Sequence, residues 1–130
     1  SIQAKNNKAA LEQLALVAAD EEALPFTRGR AILDAGYLYE NDGKQKEALA
    51  QYEKAAADLR LPEDARLEGY YAAGRIQLQL KDFAKARTAF KQAASGTVRS
   101  QGGFFWSSQA RAALNRMPAE KAPAAKTEKK

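Results

Sequence analysis

The 130 residues are 45% hydrophobic, enough to give one domain a buried core. Alanine supplies about half of that apolar content and β-branched residues are scarce, so helix is the cheaper backbone and no sheet is expected. With no cysteine, no histidine and a net charge of +5, the chain lacks disulfides, thiolate metal sites and the usual nucleophile and base pairs of an enzyme.

No stretch approaches the roughly 18 uninterrupted apolar residues that span a bilayer, and no basic segment followed by an apolar one opens the chain, so it reads as soluble. The first residues already fall in the middle of a helical pattern. The expectation is a piece of a longer protein whose anchor or signal has been removed.

A first helix is expected over 5–20, carrying Ala10, Leu14 and Val17 on one stripe. Leu24-Pro25 opens a second over 26–41, with Ile32, Ala35, Gly36 and Tyr39 in line, and Asp42-Gly43 closes it with glycine in the left-handed position. The third, over 45–59, repeats the small-large-small stripe with Ala48, Tyr52 and Ala55. Pro62 followed by Glu63 and Asp64 starts a fourth over 63–80, where Tyr70, Ala73, Gly74 and Gln77 align. Asp82 caps a fifth over 83–94 carrying Ala86, Phe90 and Ala93, and Ser95-Gly96 closes it. A sixth spans 103–116.

These stripes recur at a fixed offset of 38 residues, and each glycine precedes the first alanine of the following stripe by the same twelve residues. Each pair of stripes therefore describes a helical hairpin in which glycine and alanine admit close approach and a ring fills the gap beside them. A glycine inside a helix costs about 1 kcal/mol against alanine, so two at equivalent places have a packing reason.

The pattern resembles the tetratricopeptide repeat, W-x2-L-G-x2-Y, then A-x3-F, then a final alanine and proline. Ile32-x2-Ala35-Gly36-x2-Tyr39 with Ala48-x3-Tyr52-x2-Ala55 fits one repeat, and Tyr70-x2-Ala73-Gly74-x2-Gln77 with Ala86-x3-Phe90-x2-Ala93 fits a second. The tryptophan place holds Ile32 and Tyr70, the leucine place holds alanine, and Gln77 replaces a ring. The period exceeds the usual 34 by four residues, which predicts a longer second helix or a longer connection between repeats. The resemblance implies an all-α, right-handed α-solenoid of antiparallel helical hairpins with about six helices. Residues 1–117 read as the repeat domain, with full repeats at 28–61 and 66–98 between half repeats, and 118–130 as a disordered Ala/Pro/Lys tail.

Stripe residues are spoken for by the core, so function falls to the faces left over. In the family the first helix of each hairpin lines a concave surface that holds a peptide or partner helix, which places Leu33, Tyr37, Asn41, Tyr71, Arg75 and Gln79 there. Tyr37, Tyr71 and Arg75 are the residue types that supply contact energy at interfaces. The competing reading is that Tyr37 and Tyr71 merely cover their own hairpins. The lysine and asparagine clamp that a specialised subclass uses for chaperone carboxylates is not present as a set, the corresponding places holding Leu33, Tyr37, Tyr71 and Arg75.

Gly102-Gly103-Phe104-Phe105-Trp106 puts three rings after two flexible residues. It reads either as the start of a terminal helix that caps Phe90, or as an exposed aromatic patch of Phe104, Phe105 and Trp106 for binding or self-association. No catalytic residue, cofactor site or metal site is assigned: Asp20-Glu21-Glu22 and Glu63-Asp64 sit at helix ends, where solvated acids are expected for dipole reasons. Gly102-Gly103 lacks the residues of a phosphate loop.

The function expected is a protein-interaction scaffold that binds a peptide or partner protein. The alternatives are an oligomerisation module or, through Arg99, Arg111, Arg116, Lys121, Lys126, Lys129 and Lys130, a basic tether to nucleic acid or anionic membrane. Acidic residues are interspersed throughout, and no aromatic-basic motif of a nucleic-acid fold is present. A narrower resemblance, in the lone helix ahead of the hairpins and the Ala/Pro/Lys tail, is to bacterial membrane-anchored tetratricopeptide proteins of the YfgM-like kind; it implies a periplasmic domain.

Overall fold

The computed structural model describes residues 2–96 and 100–119. They form six helices and no strand: α1 (Ile2–Ala19), α2 (Pro25–Asn41), α3 (Gln45–Ala57), α4 (Glu63–Gln79), α5 (Phe83–Ala94) and α6 (Gln101–Arg116). Every helix expected from the stripes is present, with ends moved by three residues or fewer. The expected tail beyond Ala119 lies outside the described residues.

Each helix packs on the next, and α2 touches α4 and α4 touches α6, whereas no contact joins α3 to α5 among the described residues. First helices thus sit side by side while second helices splay, and a groove of about 440 Å³ opens between α3 and α5 over α4. This is an all-α solenoid of stacked hairpins, its first-helix side the inner one.

The small-residue stripes do what their spacing requires. A Cβ on Gly36 would fall 2.4 Å from Cε1 of Tyr52, and one on Gly74 would fall 2.6 Å from the matching carbon of Phe90. Tyr52 and Phe90 are buried, as are Ala48, Ala55, Ala86 and Ala93 around them. Burial of rings of this size is worth about 1.5–3 kcal/mol each, so the two glycine-ring contacts are principal fixings of the hairpins. They seed two core clusters, one built from α1 to α4 and one from α4 to α6.

Turn chemistry separates the repeats. Gly43 is left-handed with φ of 76°, and the amide of Lys44 donates to the carbonyl of Tyr39 at 2.9 Å to finish α2. One period later the same bond is made by the amide of Asp82 to Gln77 at 2.8 Å, but the left-handed place is held by Lys81 at φ of 64°. Asp82 then caps α5 by accepting from the amide of Lys85. Ser95 and Gly96 close α5 as expected, but Gly96, unlike Gly43, is not left-handed. It is small because Leu67 lies against it, where a Cβ would meet a methyl carbon at 2.6 Å.

The longer period is taken up outside the second helices. Those have 13 and 12 residues while both first helices have 17, and residues 58–62 form a connection anchored by buried Leu61. Buried Arg28 holds the same junction. Its Nε donates to the carbonyl of Ala18 at 3.2 Å, satisfying the end of α1, and its guanidinium lies 3.8 Å from Asp58.

Leu33 corrects the sequence reading. Expected on the concave surface, it is fully buried, sharing a core cluster with Ala18 of α1 and Ala72 and Ile76 of α4. The row of inner-face residues therefore begins one helical position away from the one expected.

Candidate partner-binding groove

Positions four apart stack along a helix, so α2 presents Phe26 and Arg30 in line and α4 presents Asp64 and Glu68 beside them. Pro25 fixes the first turn of α2 and leaves Phe26 at the helix start, 66% exposed. With Ala65 and with Trp106 from α6, these four residues line a pocket of about 220 Å³ across the three first helices.

One wall of this pocket is a polar network. The two terminal guanidinium nitrogens of Arg30 donate to the two carboxylate oxygens of Glu68 at 3.1 and 3.0 Å, while its Nε donates to Asp34 at 3.0 Å. The Tyr37 hydroxyl donates to the same buried Glu68 at 2.6 Å. A buried carboxylate with three donors is satisfied, which is what permits it in a helix-helix contact. Burial, reinforced by the hydrogen bond to Glu68, pushes the Tyr37 hydroxyl well above the ordinary phenol range.

A second network lies about two turns further along α4. Arg75 donates to both oxygens of Glu40 at 2.7 and 3.1 Å, and the hydroxyl of buried Tyr52 donates to Glu40 at 2.6 Å. The Arg75 hydrogen bonds hold the Glu40 carboxyl below the usual carboxylate range. Burial raises the Tyr52 hydroxyl.

The other wall is aromatic. Phe90 in the core meets Tyr71 at 5.7 Å between ring centroids, Tyr71 meets Trp106 at 5.6 Å, and Trp106 meets Phe105 edge-on at 4.8 Å. This ladder runs from core to surface and ends at Phe105, 49% exposed, with Phe104 beside it at 57%. Behind it α6 packs through Ala110 and Ala113, with Met117 just past its end, onto the Phe90 cluster. Buried Ser107 donates its hydroxyl to the carbonyl of Ala94 at 3.1 Å, and Arg111 donates to the same oxygen at 3.0 Å, closing α5. The helix caps the stack, and two of the three rings of the aromatic string stay exposed.

Residues 29–57 and 67–95, the segments that carry the two glycine-ring contacts, each match the model of a family described as Tetratricopeptide repeat. Each of these two hairpins is a tetratricopeptide repeat. Neither the curated proteins nor the solved structures provide a match to the chain. Tetratricopeptide repeats mediate protein–protein interaction and are typically non-catalytic scaffolds. The narrower YfgM-like resemblance gains no support from these comparisons.

Within the repeats, the residues expected to bind are dispersed. Tyr37 is half-buried and engaged with Glu68, and Arg75 is engaged with Glu40. Tyr71 is half-buried between Phe90 and Trp106. Asn41 is exposed and borders a shallow groove against α1 with Ala10, Leu14 and Tyr37. Gln79 is exposed and accepts from the amide of Gln45 at 2.6 Å. Of all the expected binding residues, only Trp106 lines the first-helix pocket.

Phe26, Arg30, Asp64 and Glu68 escaped the sequence reading. The available signal was the row itself: stepping back by three or four from Leu33 and Tyr37 reaches Arg30 and then Phe26, and the 38-residue offset carries these to Glu68 and Asp64. An arginine and a glutamate in equivalent places of successive repeats are the residues that face each other when first helices touch.

Proposed function

We propose that this chain holds a segment of another protein on the inner face formed by α2, α4 and α6. The observation that carries the reading is the pocket bounded by Phe26, Arg30, Asp64, Glu68 and Trp106, with exposed rings on either side of it. Exposed aromatic residues at a concave surface supply large contact area at small cost in side-chain freedom, and a polar wall that is already internally bonded gives a rigid frame. The wider frame, Tyr37, Tyr71 and Arg75, positions the rim rather than meeting the ligand. The test is selection of binders from a random displayed-peptide library against the folded chain. Selected peptides are expected to lose binding to Phe26→Ser and to keep it with Thr88→Ala, on the outer groove; the reverse pattern overturns the reading.

A further inference from the structure

Resting on that reading, we infer that the first-helix pocket takes a cationic side chain, a lysine or arginine flanked by apolar neighbours, from the bound segment. The argument is one of unmatched charge. Arg30 is the sole cation lining the pocket among the described residues, and it is already bonded to Glu68 twice and to Asp34 once. Asp64 is different. Its carboxylate has no hydrogen-bond or ion-pair partner among the described residues and stands over Gly102, where a Cβ would come within 2.9 Å of its oxygen. One guanidinium therefore lines the pocket with two carboxylates, and it is shared with a third, Asp34, outside it, in a chain whose net charge is +5.

The aromatic wall adds to that excess. Trp106 is the ring type that attracts cations best, and it lines the same pocket as Asp64, with Phe26 opposite on α2. A lysine or arginine stem lies along apolar surface while its head reaches the acid, so the two walls suit one side chain rather than two. An anionic side chain would meet Asp64 and Glu68 with only a saturated arginine to offset them.

Three blocked tripeptides test this: N-acetyl-Leu-Lys-Leu-amide and its counterparts with Gln or Glu in the middle, titrated while the emission of Trp106, the sole tryptophan, and its indole N–H resonance are followed. The Lys peptide is expected to bind about fivefold more tightly than the Gln peptide, with Glu weakest, and the preference to shrink in high salt. Asp64→Asn, a polar exchange in the first turn of α4, should bring the Lys peptide to the Gln level and leave the Gln peptide unchanged. Equal affinities of Lys and Gln peptides, or a preference that survives Asp64→Asn, overturns the cation site. If all three bind alike and all are lost in Phe26→Ser, the groove reading stands while the cation inference falls. If none perturbs Trp106, the inference falls too. Self-association that Phe26→Ser abolishes and the Lys peptide leaves intact would assign the pocket to a second copy and overturn it.

Discussion

Arg30 is bonded through both terminal guanidinium nitrogens to Glu68, the residue that occupies its own place one repeat later. The two α-helices that carry them meet on the inner face, so a repeat period in the sequence becomes a direct contact in space. The pair is asymmetric in exposure: the Glu68 side chain is 6% exposed and that of Arg30 is 42% exposed.

That asymmetry sets the first expectation. Arg30→Ala leaves a buried carboxylate with the Tyr37 hydroxyl as its remaining donor and should cost about 2–3 kcal/mol, below the full penalty for a wholly buried pair because Arg30 is partly solvated. Arg30→Leu with Glu68→Leu should recover most of the loss, since no charge is stranded. Urea denaturation of the parent, Arg30→Ala and the double variant decides it: Arg30→Ala as stable as the parent contradicts the account.

Packing at the glycines sets the second. Gly36→Ala and Gly74→Ala each drive a methyl into a buried ring, and each should destabilise by about 2–3 kcal/mol, although alanine is the better helix former. Pairing Gly36→Ala with Tyr52→Leu should return part of the loss, and a double-mutant cycle in thermal melts measures the coupling.

The left-handed turns set the third. Lys81 occupies at φ of 64° the place that Gly43 holds in the first repeat. A side chain in that region costs about 1 kcal/mol, so Lys81→Gly should stabilise the chain by roughly that amount and Gly43→Ala should destabilise it similarly. A melting temperature lowered by Lys81→Gly would show that the lysine side chain contributes more than its backbone strain costs.

The fourth concerns pH. Glu40 has its carboxyl pKa lowered in the folded state, first by the Arg75 hydrogen bond. Its contribution is therefore fully present above the ordinary value of 4.5 and is lost as pH falls through the lower folded value. Glu40→Gln should cost about 1–2 kcal/mol at neutral pH, and the gap from the parent should close as pH is taken below 4. A difference that stays constant down to pH 3 would exclude the ion pair as its source. Tyr37 and Tyr52, with raised hydroxyl pKa values, act at the other limit: their contribution is present below pH 10 and lost as pH rises further.

Periodicity in the sequence by itself determined the six helices, the hairpin pairing and the glycine-ring contacts. These depend on local steric rules: a missing Cβ beside a ring at a fixed spacing has one use in stacked helices, and Gly36 with Tyr52 and Gly74 with Phe90 realise it. Left to the tertiary structure was which neighbouring residues the stack covers. Leu33 was one place from the packing stripe and was placed outside; α1 and α4 close over it. Arg30 and Glu68 were readable as an equivalent pair but not as a bonded one, because helical spacing gives the side of a helix a residue lies on and not how far the next helix is rolled toward it. The inner pocket is a product of that roll, which brings Phe26, Asp64 and Trp106 together from three helices far apart in the chain.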